Sequence, residues 1–290
     1  MSFMNSSNPL LNHIPKYLYR YRTLEGAALF HAERTILHNE IYLTSPSKIN
    51  DPFDCEVALD FDAADADWHK SLFGLSERKQ PHLSKADHAA FAESTISSGR
   101  HKDKEIQSLI LRELQEKVNS VGLLCLTERN DCILMWSHYA ASHSGICFEF
   151  SNTGSDILIG QSQRVTYLQF YKKAHAIHDN MEAQVDRILR SKAKCWAYEA
   201  EWRKIDHQAG HGLKEFDPQI LTGVIFGCKI AEANEKRIMK WLSERESPMN
   251  AYKARQSADG FHIEIERIVQ RDAVWLLEDL RKLDKKKPYP

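Results

Sequence analysis

The feature that most restricts what this chain can fold into is the way strand patterns and helix patterns are interleaved along it. Lys16-Tyr17-Leu18-Tyr19-Arg20-Tyr21-Arg22 alternates aromatic with basic or aliphatic side chains, the two-residue period of a strand with one aromatic face. Residues 26–39 then place Leu29, Ala32, Ile36 and Leu37 near one helical stripe, and residues 40–44 read as a second strand. Further strands are expected over 121–127, 145–150, 165–170, 196–205, 223–228, 249–255 and 260–269, with helices over 132–141, 180–194 and 232–244. Helices standing singly among runs of strands argue against a doubly wound parallel sheet. They predict an α+β fold: a central mixed or largely antiparallel sheet flanked by helices.

Between 63 and 120 the composition turns charged and Ala-rich, and Ile106, Leu109, Ile110, Leu114 and Val118 fall at amphipathic spacing, so a helical insertion over about 60–120 is expected. Residues 1–14 read as a tail and 15–290 as one domain carrying that insertion. With 42% hydrophobic and 27% charged residues the chain can bury a sizeable core. Its 39 basic residues nearly match its 40 acidic ones, which excludes a whole-molecule field for nucleic acid or anionic lipid. The six cysteines form no Cys-x-x-Cys pair, which favours free thiols in a reducing compartment. With no signal-peptide pattern and no stretch long enough for a membrane span, a cytoplasmic location is expected.

Three segments could carry chemistry. In Trp196-Ala197-Tyr198-Glu199-Ala200-Glu201-Trp202-Arg203, strand periodicity puts Trp196, Tyr198 and Trp202 on one face and Glu199, Glu201 and Arg203 on the other, with the carboxylates roughly 7 Å apart. Such a trio can hold a sugar hydroxyl or a developing cation, and like charges so close can raise one pKa into general-base range. An edge-strand ladder in which Arg203 neutralises both acids explains the same residues. Asn50-Asp51-Pro52-Phe53-Asp54 has the chemistry of a structural corner; placed just after a strand, it could also present binding residues. In the stretch from Leu134 to Gly145, a helix puts Trp136, Tyr139, Ala140 and His143 on one face and ends at Gly145. His138 or His143 could act as acid or base there, or be a satisfied structural histidine. Ser137 and His138, adjacent on a helix, point apart and are no nucleophile–base pair. His175 with His178, and His207 with His211, have helical ligand spacing but nothing beside them completes a site, so no metal is expected.

Tyr19-Arg20-Tyr21-Arg22, Ser45-Pro46 with Asn50-Asp51-Pro52-Phe53-Asp54, the 134–145 stretch and Tyr198-Glu199-Ala200-Glu201-Trp202-Arg203 together resemble a bacterial domain-of-unknown-function family, DUF2971. More distantly, the order of Arg20 or Arg22, then Thr44-Ser45, then Glu199-x-Glu201 resembles that of ADP-ribosyltransferases, including DNA- and RNA-modifying toxins of phage-defence systems. The chain departs from that pattern in having no histidine on its first strand, no full Ser-Thr-Ser and a long helical insertion before the glutamates.

The second resemblance implies NAD as substrate, no metal, and a nucleotide, nucleic acid or protein as acceptor, with an antitoxin or defence partner. It implies that Glu201 bonds the nicotinamide ribose and steadies an oxocarbenium-like sugar, that Glu199 deprotonates the acceptor, and that Arg20 or Arg22 clamps the pyrophosphate. Tyr19, Tyr21 or Tyr42 would stack on nicotinamide, with Thr44, Ser45, Asn50, Asp51, Asp54, Trp136, His138, Tyr139 and Arg203 completing the pocket. Two alternatives use the same residues. One is a non-catalytic module binding a ligand or partner; the other is a Mg²⁺-dependent nuclease built on Asp51, Asp54, Glu199 and Glu201 with Lys204.

Overall fold

The structure, a computed structural model, describes residues 14–152, 156–171, 173–177 and 180–268; almost all of the expected tail lies outside them. With strands numbered in chain order, eight form the central sheet: β1 (Tyr17–Arg22), β4 (Gly122–Thr127), β5 (Ile146–Ser151), β6 (Gln163–Arg164), β10 (Glu201–Asp206), β12 (Leu221–Phe226), β13 (Asn250–Gln256) and β14 (Ile263–Arg267). Their order is β14-β13-β12-β5-β1-β4-β10-β6. Every pairing is antiparallel except β12 with β13, so the expected mixed sheet flanked by helices is what forms. Of the expected 260–269 strand, Val269 lies outside the described residues.

Helices cover both faces because alternate side chains of each central strand are apolar on either side. On one face α1 (Gly26–His38) and α7 (Glu232–Glu244) bury Ala32, Ile36, Ile238 and Trp241 against Leu18, Phe148, Phe150, Val224 and Phe226. On the other, α4 (Lys104–Ser120) and α6 (Met181–Leu189) pack Leu114, Val118, Val185 and Leu189 with Leu123. The expected insertion is helical: α2 (Asp65–Lys79) and α3 (Lys85–Ser97) pack through Trp68, Leu72 and Ala92, and α4 returns the chain to the sheet. A capping box between Ser84 and Asp87 starts α3, satisfying amide donors that the first turn leaves open. The insertion is preceded by β3 (Leu59–Asp60), which pairs with β8 (Ala174–His175).

The sheet is split near its middle. β1 meets β5 over six residue pairs, and β10 meets β4 over six, but β1 and β4 are joined only at Tyr19 opposite Thr127. Beyond Tyr19 the strands part, and the gap is roofed by β2 (Glu40–Leu43), which pairs with β11 (Gly212–Glu215) and bridges to Leu123 through Thr44.

Three local expectations are corrected. The strand expected over 196–205 begins only at Glu201, because Lys194–Glu199 forms a 3-10 turn and Ala200 is left-handed, with φ 44°. The helix expected over 180–194 stops at Leu189, and Ser191–Ala193 is a strand, β9, parallel to β7 (Thr166–Leu168). The helix expected over 132–141, α5 (Ile133–Tyr139), ends earlier, and Ala141, Ser142 and His143 follow with φ of 47°, 52° and 71°. Gly145 therefore does not end that helix. It lies so close to the Arg22 carbonyl that a Cβ would collide with it, so glycine there sets the spacing of β5 against the end of β1.

Among the described residues no helix is long and apolar enough to cross a membrane. All six cysteines are free thiols; Cys55, Cys132 and Cys147 are buried and Cys195 is exposed.

Candidate functional site

A cavity of about 500 Å³ opens where β1 and β4 part. Tyr19, Arg20, Tyr21 and Arg22 form one lip and Cys125, Leu126 and Thr127 the other. Tyr42, Thr44, Asn50 and Asp54 line it from β2 and the following loop, His138 and Tyr139 from α5, Glu199 from the end of the 3-10 turn, and Glu201 and Arg203 from the start of β10. The chain therefore brings both ends of the expected constellation to one cavity.

The floor is a buried ionic hub. Arg203, with none of its surface exposed, donates Nε to Glu201 Oε1 at 2.7 Å and Nη2 to Glu201 Oε2 at 3.0 Å. The same guanidinium grips Asp54 with two bonds of 3.0 and 2.6 Å, and its Nη1 also reaches the Leu189 carbonyl at 2.8 Å. Lys192 Nζ bonds Glu199 at 2.5 Å and Glu201 at 3.0 Å, and stands 3.5 Å from Asp54. Tyr139 Oη donates to the second oxygen of Glu199 at 2.6 Å. Three carboxylates thus share two cations and a phenol in a setting where an unpaired charge would be costly.

The two glutamates differ in what they leave free. Glu201 receives three charge-assisted bonds, and the amide at its own position donates to Tyr167 Oη at 2.7 Å. Burial by itself would raise its pKa, but Arg203 and Lys192 more than reverse this and hold it at about 2. Glu199 receives one bond on each oxygen, which leaves acceptor capacity on both. Burial raises its pKa above the ordinary 4.5; Lys192 opposes the rise and Glu201 adds to it. Lys192 is held protonated: burial pulls its pKa down, and Glu201 and Glu199 more than offset that.

The opposite lip carries positive charge without partners. Arg20, only 8% exposed, donates Nη2 to the Tyr42 carbonyl at 2.8 Å, while its buried Nη1 has no hydrogen-bond partner. Among the described residues no carboxylate pairs with Arg20 or Arg22. Burial, and then Arg22, pull the Arg20 pKa well down, and burial lowers Arg22 to about 10. His31, which also lines the cavity, has its pKa lowered by burial and then by both arginines. Its ring lies 4.6 Å from that of Tyr42.

Other expected site residues fall elsewhere. Asp51 spans the corner, its Oδ1 accepting from the Phe53 amide at 2.9 Å and its Oδ2 from Trp196 Nε1 at 2.6 Å. Ser45 turns away to the Asn119 carbonyl at 2.8 Å. Trp136 is fully buried, edge-on to Tyr21 with ring centres 5.0 Å apart, and donates Nε1 to the Asn130 carbonyl. His143 stacks on Trp136 and meets the Ser137 hydroxyl at 3.1 Å. His138, by contrast, does line the cavity, and it is exposed there beside Trp196 and Tyr198. Trp202, expected to share a face with those two, is on the other side of the sheet, in the main core; the left-handed Ala200 breaks the alternation. Lys204 bonds Gln161 at the surface, away from the carboxylates. His178 lies outside the described residues, and His207 pairs with Asp186 at 3.0 Å.

The sequence reading missed Lys192, His31, Lys48 and Tyr167. Lys192 was hidden inside a segment read as helix. Its one signal was the place of Ser191-Lys192-Ala193 just before the aromatic and acidic stretch, and that is not specific.

The hub makes stability depend on acid in a definite direction. Glu201 has an ordinary pKa of 4.5 and a folded one of about 2, so its contribution is full above 4.5 and is lost as pH falls towards 2. At about 1.4 kcal/mol per unit this amounts to about 3 kcal/mol. Denaturant unfolding measured from pH 6 to pH 2 should show that loss, and Glu201→Gln should flatten it.

The model of a family described as "Protein of unknown function (DUF2971)" matches residues 135–204. That segment holds Trp136, His138, Tyr139, Lys192, Glu199, Glu201 and Arg203, whereas Arg20, Arg22 and Asp54 lie outside it. The match supports a likeness to that family over this part of the chain. No curated protein and no solved structure gives a match.

Proposed function

We propose that the cavity binds a phosphorylated nucleotide-type ligand and that NAD is its substrate, cleaved at the glycosidic bond with transfer of ADP-ribose to an acceptor. One observation carries the reading: Arg20 places an unpartnered, buried Nη1 at the cavity, with Arg22 beside it. A buried guanidinium with no counter-ion is unfavourable until an anion arrives, and two neighbouring ones suit a pyrophosphate, whose oxygens accept paired N–H bonds. The cations that face carboxylates at the hub are satisfied there, so the cavity's surplus positive charge lies at this lip and at Lys48 on the loop after β2.

In this reading the glutamates have separate roles. Glu199, with lone pairs to spare and a raised pKa, contacts the ligand; Glu201 positions Arg203 and Lys192. When the bond from ribose C1′ to nicotinamide breaks, the ring nitrogen leaves with the electron pair. An acceptor hydroxyl or amine then attacks C1′ and its proton passes to Glu199. The oxocarbenium-like sugar develops its charge near a carboxylate, and no metal takes part.

The geometry favours this reading over the nuclease alternative, because Asp54, Glu199 and Glu201 already share one ammonium and one guanidinium, Asp51 bonds Trp196, and Lys204 is elsewhere. The binding-module alternative uses the same arginines, and the experiment separates it. Pyrophosphate and NAD should each raise the thermal midpoint of the wild-type protein, and Arg20→Gln should abolish both shifts. Nicotinamide release from NAD with a nucleic-acid or protein acceptor present supports transfer. Protection without release leaves a binding module, and no protection by either compound removes the reading altogether.

A further inference from the structure

A second cavity, of about 360 Å³, lies on the far side of β9. Phe53, Cys55, Ala58, Leu168, Phe170, Ile188 and Ala193 give it a mainly apolar wall, and Glu56, Gln169, Arg187 and Ser191 contribute polar edges in which one acid and one base offset each other. It shares only Lys192 with the cavity described above, and none of the proposed NAD chemistry uses it.

Three aromatic side chains at this cavity are strongly exposed: Phe53 at 68%, Phe170 at 82% and Tyr171 at 50%. Among the described residues none of the three rings stacks on another ring. The rim is nevertheless built, since Tyr171 Oη donates to the Phe53 carbonyl at 3.1 Å and ties two distant segments together. The left-handed backbone of Cys55, with φ 60°, turns the chain so that Asp54 enters the ionic hub while Cys55 and Glu56 line this second space.

Exposed rings grouped around an apolar hollow are costly in water and mark a binding surface. The volume falls in the range of small-ligand sites, at the size of a single fused ring system, and free aromatic faces favour a flat partner. We infer that this cavity is a second ligand site, which takes a neutral planar aromatic group of nucleobase size. The ring lies against Phe53, Phe170 and Tyr171, and its edge meets Gln169, Ser191 or Glu56. Either a free aromatic compound or the base of a nucleoside supplies that group.

Indole and adenosine, neither carrying phosphate, are the probes, titrated against the full chain by ligand-observed NMR. At least one should bind the wild-type protein, and Phe170→Ala, an exposed substitution that leaves the core alone, should weaken it by about tenfold. Ala193→Trp, which fills the space, should abolish binding, with the thermal midpoint confirming that the variant folds. Tighter binding of adenosine identifies a nucleoside as the source, and tighter binding of indole a free aromatic compound. Arg20→Gln should leave either affinity unchanged, so failure of the NAD reading does not touch this one. No binding by either probe, equal binding by Phe170→Ala, or loss of binding in Arg20→Gln would overturn it.

Discussion

Arg203→Met should lower the unfolding free energy by about 3–5 kcal/mol, the cost of removing one member of a buried ion pair, as read by urea denaturation at pH 7. The guanidinium is wholly buried, and five hydrogen bonds tie it to Asp54, Glu201 and the Leu189 carbonyl. Methionine fills much of the volume but leaves Asp54 and Glu201 with Lys192 as their one cation, at 3.5 and 3.0 Å. Arg203→Lys should restore little of the loss, because one ammonium cannot reproduce two paired bonds to each of two carboxylates. A change below about 1 kcal/mol for Arg203→Met would mean that the hub contributes nothing net to the fold.

Glu199→Gln should reduce NAD turnover by about 10²–10⁴-fold, the usual contribution of a positioned general base, while costing far less stability. Glutamine can still accept from Tyr139, and Lys192 retains Glu201 and Asp54. Glu201→Gln, by contrast, weakens the bonds of both Arg203 and Lys192 and should lower the thermal midpoint; turnover and melting thus tell the two glutamates apart. The base works only when ionised, and its pKa is raised above 4.5. The acid limb of kcat against pH should therefore fall above 4.5, with activity lost as pH decreases through it. Nicotinamide release by Glu199→Gln at the wild-type rate would remove Glu199 from the chemistry.

How far the sequence could be read depended on the range of the interaction. The two-residue period of β1 and the stripes of α1 and α4 are local, and their elements lie close to where the pattern puts them. The pattern failed at Trp196-Ala197-Tyr198-Glu199-Ala200, where aromatic alternation imitates a strand while the backbone makes a 3-10 turn and a left-handed step at an alanine. Propensity gives no warning of that step, since tertiary contacts hold it: Thr127 Oγ1 donates to the Glu199 carbonyl, and the Glu128 amide to that of Ala200. Asp54 reads as a corner residue and Arg203 as an edge-strand charge until long-range pairing brings them together. The lip formed by Arg20 and Arg22 depends on β1 and β4 parting after a single pair, and nothing in either strand's own composition encodes the split.

The contact between Asp54 and Arg203 joins positions 149 residues apart. While the chain is being synthesised, Asp54 leaves the ribosome long before its counter-ions at 192 and 203. An incomplete chain therefore holds an acid that stays in water, and the loop after β2 has no reason to dock. The cavity comes into being only once β10 has paired with β4 and brought Arg203 to Asp54, so a chain cut before that strand would lack both the hub and the cavity floor.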